Sequence, residues 1–150
     1  MVDVLTPSQR RLNMSRIRGG NTKPEMALRR GLHRRGFRFV LHRKELPGRP
    51  DIVFPRYRKV ILVHGCFWHG HDCRFFKSPA TRPEFWATKI AANKSRDSFV
   101  RSELEKANWR HLTIWECAVR GQKSDATDKV AKQVAKWLLS KSRRGEIRGS

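Results

Sequence analysis

The stretch Lys59-Val60-Ile61-Leu62-Val63-His64-Gly65-Cys66-Phe67-Trp68-His69-Gly70-His71-Asp72-Cys73 decides how this chain folds. Lys59 to His64 reads as a strand that is apolar on both faces, the pattern of a strand lying centrally in a sheet. The ten residues from His64 to Cys73 then hold three of the six histidines, two of the three cysteines and an adjacent aromatic pair. Packing alone requires no such mixture, so a functional site is expected at the end of this strand.

Upstream, Asp51-Ile52-Val53-Phe54 is a second, short strand between two turns, Leu46-Pro47-Gly48-Arg49-Pro50 and Pro55-Arg56-Tyr57-Arg58. Phe37-Arg38-Phe39-Val40-Leu41 alternates as a first strand should. Thr22-Lys23-Pro24-Glu25 is a capping box that opens a helix; Leu28 and Leu32 lie on its inner face, and Gly36 ends it. Thr6-Pro7-Ser8 predicts an earlier basic helix over 8–18, stopped by Gly19-Gly20. With only Leu12, Met14 and Ile17 to bury, residues 1–20 read as an arm that orders on a partner.

Downstream, Pro83 opens a long helix to about Ala107, with Asn93 a candidate break point. Arg110 to Trp115 is a fourth strand. Ser124 or Asp125 caps a last helix in which Val130, Val134 and Leu138 recur every four residues. Residues 21–140 form one domain, and 141–150 read as a basic, disordered tail. The order helix, three strands, helix, strand, helix predicts an α/β fold: a mixed sheet flanked by helices.

The charge narrows the partner. Lys and Arg number 34 against 13 acids, a net charge of +21 spread from Arg10 to Arg148. Such a field costs compactness and points to a polyanion, nucleic acid above all. No helix sets a basic face opposite an apolar one, which disfavours a membrane surface. No stretch reaches transmembrane length, and Met1-Val2-Asp3-Val4 lacks a signal-peptide core, so a cytoplasmic location is expected. Three cysteines, an odd number, argue against a disulfide framework.

Metal ligation explains the cysteines better. Cys66, His71 and Cys73 offer three tetrahedral ligands, and Cys117 lies just past the fourth strand. If that strand pairs beside the third, Cys117 completes a closed structural Zn²⁺ site. Asp51, the only carboxylate between Glu45 and Asp72, suits a Mg²⁺ held against a phosphate; taken alone it would sooner serve the turn through an Asx bond. His64 and His69 are left to move a proton or to stabilise charge. Asp97 either pairs with a surface cation or orients one of these histidines. Phe67 and Trp68 in a glycine-rich loop, with Trp86 in the next helix, suit wedging into a base step as well as they suit a core.

These residues resemble the very-short-patch-repair (Vsr) family of DNA mismatch endonucleases. The likeness is carried by Asn13-Met14-Ser15, Leu46-Pro47-Gly48-Arg49-Pro50-Asp51, His64-Gly65-Cys66-Phe67-Trp68-His69, Pro79-Ala80-Thr81-Arg82, Glu84-Phe85-Trp86, Lys89-Ile90 and Trp115-Glu116-Cys117-Ala118, and spans about residues 8 to 140. The resemblance implies a restriction-endonuclease-like fold with a structural zinc. It implies Mg²⁺-dependent nicking of double-stranded DNA on the 5′ side of the thymidine of a T·G mismatch, as left by deaminated 5-methylcytosine. By position, Asp51 would bind the Mg²⁺ with the Val63 backbone carbonyl, and His69 would be the general base. His64 and Glu25 would assist, although the capping box alone accounts for Glu25. Phe67, Trp68 and Trp86 would form the wedge, with Met14 entering from the arm. The resemblance also suggests cooperation with mismatch-repair proteins; a monomer is expected. A zinc-stabilised DNA-binding module without catalysis, or a nuclease of other specificity, are the competing readings.

Overall fold

A computed structural model describes residues 23–73, 80–119 and 124–149. The elements are α1 (Lys23–Arg34), β1 (Val40–Leu41), β2 (Ile52–Phe54), β3 (Lys59–His64), α2 (Pro83–Lys106), β4 (Arg110–Trp115), α3 (Ser124–Leu138) and β5 (Arg144–Ile147). The arm, with Met14 and the expected cap Thr22, lies outside the described residues.

The five strands form one sheet in sequence order, β1-β2-β3-β4-β5. β1, β2 and β3 pair antiparallel as a meander, whereas β3–β4 and β4–β5 are parallel. Each parallel step needs a crossover, and α2 and α3 supply the two. The period of two deals β3 to both faces. Ile61 joins Ile52, Phe54, Leu112 and Ile114 under α1 and α3, where Leu28, Leu32, Val130, Val134 and Leu138 close a core. Val60 and Leu62 point the other way, with Val53, Leu104 and Trp109, under the C-terminal end of α2.

Three expectations need correction. β1 contains only Val40 and Leu41, paired with Val53 and Ile52. In that register Arg38 would face Pro55, which has no N–H for a ladder; Phe37 and Phe39 instead pack on Phe54, with ring centroids 6.4 and 5.8 Å away. α2 runs unbroken through Asn93, whose side-chain amide donates to the Trp68 carbonyl at 2.8 Å. The basic tail is no disordered appendage, because Arg144–Ile147 is a strand on the parallel edge of the sheet. An edge strand with one face in solvent needs little apolar content: Ile147 packs on the core, and Arg144 pairs with Glu105 of α2 at 2.6 Å.

A lysine is built into the core. Lys59 is 2% exposed, and its Nζ donates to the carbonyls of Trp137, Leu138 and Ser140 at 2.7–2.9 Å. Three acceptors for three ammonium protons cap the C-terminus of α3, where positive charge is favoured. Lys59→Met removes this donor from all three carbonyls, of which Trp137 O keeps the Ser140 N–H and hydroxyl. It is expected to cost about 2–3 kcal/mol in urea unfolding with little change in the slope against urea.

Candidate active site and metal centre

Strand direction gathers the chemistry. β2 starts where β3 ends, and β4 ends beside it, so Asp51, His64 and Trp115 share one sheet edge. A cleft of about 380 Å³ opens there, lined by His42, Arg49, Asp51, His64, His69 and Asp97, among others. The middle of α2 forms one wall through Asn93, Arg96, Asp97 and Val100.

The Val63 N–H donates to Asp51 Oδ2 at 2.7 Å, locking the acid to the end of β3. Asp51 Oδ1 lies 3.9 Å from His42 Nδ1, and His42 Nε2 lies 4.0 Å from Glu25 Oε1. Glu25 is buried and held by Arg29 at 2.9 Å. Burial pushes the Asp51 carboxyl up to about 6, and the nearby Glu25 adds to the rise; the Val63 N–H and His42 oppose it. A carboxylate so placed above pH 6 favours a bound cation, which fits a divalent metal held at Asp51. Val63 borders the same cleft.

The histidines divide the work. The rings of His64 and His69 stack 3.9 Å apart and within 5° of parallel. Burial, then the neighbouring His69, drive His64 down to about 3, so it stays neutral at physiological pH. His69 Nδ1 bonds Asp97 Oδ2 at 2.5 Å. That partner fixes the ring with its proton on Nδ1 and leaves Nε2 as the basic nitrogen. Asp97, the candidate orienting acid, thus hydrogen-bonds His69.

The loop after β3 also carries the metal ligands. Its turns close through His69 N–H to Gly65 O at 3.2 Å and His71 N–H to Cys66 O at 2.9 Å. Gly70 has φ +61°, and a Cβ there would lie 2.6 Å from Ile90, so only glycine lets the loop sit against α2. Cys66, His71, Cys73 and Cys117 place one donor atom each within 4.8 Å of one another. Cys117 Sγ and His71 Nδ1 are 3.6 Å apart. Donors at about 2.3 Å (S) and 2.0–2.1 Å (N) from a tetrahedral ion would be separated by about 3.6 Å, so the set fits a four-coordinate metal. Backbone N–H groups support the sulfurs: Cys117 N–H donates to Cys66 Sγ at 3.3 Å and Gly149 N–H to Cys117 Sγ at 3.2 Å. Without a cation, burial and the neighbouring thiols hold the Cys66 thiol far above its usual range. Arg148 grips the same loop through Asp72 Oδ1 at 3.1 Å.

Phe67, Trp68 and Trp86 form a mutual cluster with centroids 5.3–5.7 Å apart. Lys89 Nζ lies 5.8 Å from the Trp68 ring and Phe85 packs on Trp86 at 5.2 Å. Trp115 joins the two centres: it stacks on His71 at 4.0 Å and meets His64 edge-on at 5.3 Å. Sequence reasoning missed His42, Asn93, Trp115 and the Arg148–Gly149 clamp. His42 alone had a usable signal, since the hairpin register Leu41 to Ile52 sets it opposite Asp51.

Two outcomes are expected here. The Asp51 pKa lies above its unfolded value, so stability falls as pH rises from about 4 to about 6; the cost is complete above about 6 and absent below about 4. In chelator at pH 8, Asp51→Asn should therefore be more stable than wild type by about 2 kcal/mol, with the gap closing by pH 4 in thermal melts. A chain ending at Ile147 keeps β5 and loses the Gly149 and Arg148 contacts. It should keep its helical circular dichroism yet release metal to a chromophoric chelator about 10-fold faster.

Residues 2–75 match the family described as DNA mismatch endonuclease Vsr. A protein of Escherichia coli named DNA mismatch endonuclease Vsr is 40% identical over 147 residues, 98% of this chain and 94% of its own length. The type II nicking enzyme V.XorIIP of Xanthomonas oryzae pv. oryzae is 50% identical over 117 residues, 78% of this chain and 86% of its own. The type II nicking enzyme V.NmeAIP of Neisseria meningitidis is 38% identical over 122 residues, covering 81% and 87%.

Proposed function

Since the chain belongs to the DNA mismatch endonuclease Vsr family, we propose that it nicks one strand of double-stranded DNA 5′ to the thymidine of a T·G mismatch and so starts a short repair patch. It is an endonuclease, and DNA is its substrate. The observation that carries the finer reading is the His69–Asp97 pair, stacked on a neutral His64, in the same cleft as Asp51 and on the same loop as two members of the aromatic cluster.

Asp51, with the Val63 backbone carbonyl, would hold Mg²⁺, which when bound offsets charge on the phosphate and makes water more acidic. The remaining chemistry belongs to the chain. His69 Nε2 takes a proton from water as the water oxygen bonds to phosphorus. The P–O bond to the leaving sugar oxygen breaks, and that oxygen is protonated from solvent. Asp97 stabilises the imidazolium so formed. Neutral His64 packs flat against His69 and donates no competing charge; Glu25 acts through His42 on Asp51. Phe67, Trp68 and Trp86 enter the base stack beside the mismatch, where unstacking costs least. Cys66, His71, Cys73 and Cys117 hold Zn²⁺ as scaffold, because four protein ligands leave no open position.

The mixed sheet with the acid at its edge is read as a restriction-endonuclease-like fold. Lys and Arg supply affinity for phosphate, spread over a +21 chain. The protein is read as a monomer working in the cytoplasm, in cooperation with mismatch-repair proteins. Among the described residues no helix is long and apolar enough to cross a membrane.

The test is one labelled duplex set carrying T·G, A·T or G·C at a single position, with and without Mg²⁺. Nicking is expected only at T·G and only with the metal. Asp51→Ala should lower it by at least about 10³-fold while T·G binding survives. Wild-type nicking by that variant would remove Asp51 from the mechanism. Cleavage of all three duplexes at one rate would leave a nuclease of other specificity, and no cleavage in any divalent metal would leave a binding module.

A further inference from the structure

Arg49 is held in a conformation that its own sequence disfavours. Leu46-Pro47-Gly48-Arg49 closes a turn in which the Arg49 N–H donates to Leu46 O at 3.1 Å. Proline in second place and Gly48 at φ +72° in third are the marks of a type II turn. The turn lies flush against α2, since a Cβ on Gly48 would come within 2.3 Å of Val100 Cγ1. The next residue, Arg49, has φ +51°, the left-handed region that a side chain opposes. It also precedes the buried Pro50, and a residue before proline is normally pushed to extended backbone. No glycine or asparagine relieves the position. Strain of this kind persists only where the surroundings impose it, and it gathers at functional sites.

The strained residue lines the cleft. Arg49 borders the same cavity as Asp51, His64 and His69, and Arg96 borders it from α2. Arg49 is exposed, and among the described residues its guanidinium makes no hydrogen bond or ion pair. Both cleft carboxylates are engaged elsewhere: Asp51 Oδ2 by the Val63 N–H, Asp97 Oδ2 by His69. A forked cation on a strained turn at the border of this cleft, with no bond to either acid among the described residues, matches the non-bridging oxygens of a phosphodiester.

We propose that Arg49 is a catalytic residue of the nicking reaction, its guanidinium gripping the scissile phosphate and stabilising the charge that grows on its oxygens in the transition state. This rests on the reading of the Asp51 cleft as the nicking site. Arg49 acts on phosphorus oxygens while His69 acts on water, so neither substitutes for the other. Its hold strengthens as the phosphate gains charge, which raises the rate more than the affinity.

The experiment is single-turnover nicking of a T·G duplex by the full chain at saturating protein, with duplex affinity measured separately in chelator. Arg49→Ala should nick about 100-fold more slowly while Kd shifts less than about 3-fold. Arg49→Lys should recover part of that loss, because a point charge replaces a fork. Arg49→Gly should lose the same rate yet melt about 2 °C higher, since glycine accepts the left-handed backbone. If Arg49→Ala nicks like wild type while Asp51→Ala is dead, the proposal fails and the cleft reading stands. If both nick like wild type, the cleft reading itself fails. A loss confined to Kd makes Arg49 a tether, and a fall in the Arg49→Gly melting temperature makes its side chain part of the fold; either result overturns the proposal.

Discussion

The change of strand direction across β3 is the constraint from which the site follows. β3 pairs antiparallel with β2 on one side and parallel with β4 on the other. The start of one neighbour and the end of the other are thereby brought to its C-terminal end. A wholly parallel sheet would carry Asp51 to the opposite edge, about a strand length from His64. The bond from the Val63 N–H to Asp51 is the point where this geometry becomes chemistry, because it fixes an acid of β2 to the backbone of β3 just before the loop of histidines and cysteines begins.

Electrostatics then sorts groups that lie within a few ångströms. Asp51 is partly buried next to a second acid, and its carboxyl is raised to about 6. His64 is buried next to another imidazole and resists protonation. His69 gains Asp97 and so has a carboxylate ready for the positive charge. Burial thus holds Asp51 and His64 toward their neutral forms, while Asp97 orients His69. The four-ligand centre adds order to the same loop, and Trp115, touching His71 on one side and His64 on the other, makes the two centres share a wall.

Much of this was legible because the informative residue types are scarce. Three cysteines and a nearby histidine leave few ways to complete a tetrahedron, so Cys117 could be drawn in from 44 residues beyond Cys73 once β4 was set beside β3. The meander and the helical crossover followed from the alternation of apolar residues. What was hidden depends on register or on backbone conformation. His42 matters only because one hairpin register sets it against Asp51. Lys59 looked like the edge of an apolar run, and nothing local reveals that three carbonyls of α3 wait for it. β5 was concealed by its composition: Arg144-Gly145-Glu146-Ile147 has the polarity of a tail, and only pairing with β4 makes it a strand. The left-handed turn at Arg49 leaves no trace in residue type at all.

α2 is a 24-residue helix, about 36 Å long, yet its only buried side chains are Ile90 and Leu104. The Gly70 loop meets it around Ile90 and Lys94, the Gly48 turn meets it at Val100, and Leu104 anchors the far end under the sheet. Mechanically it is a beam held from Ile90 to Leu104, along the stretch that walls the cleft, with its first turns running past the Gly70 support to Trp86. A continuous helix resists bending far better than a loop of equal length, so a load applied at its first turns tilts the whole beam and does not dent it locally. A force on the aromatic cluster, which grips α2 through Trp86, would thus be delivered with little loss to Asp97, about three turns farther along.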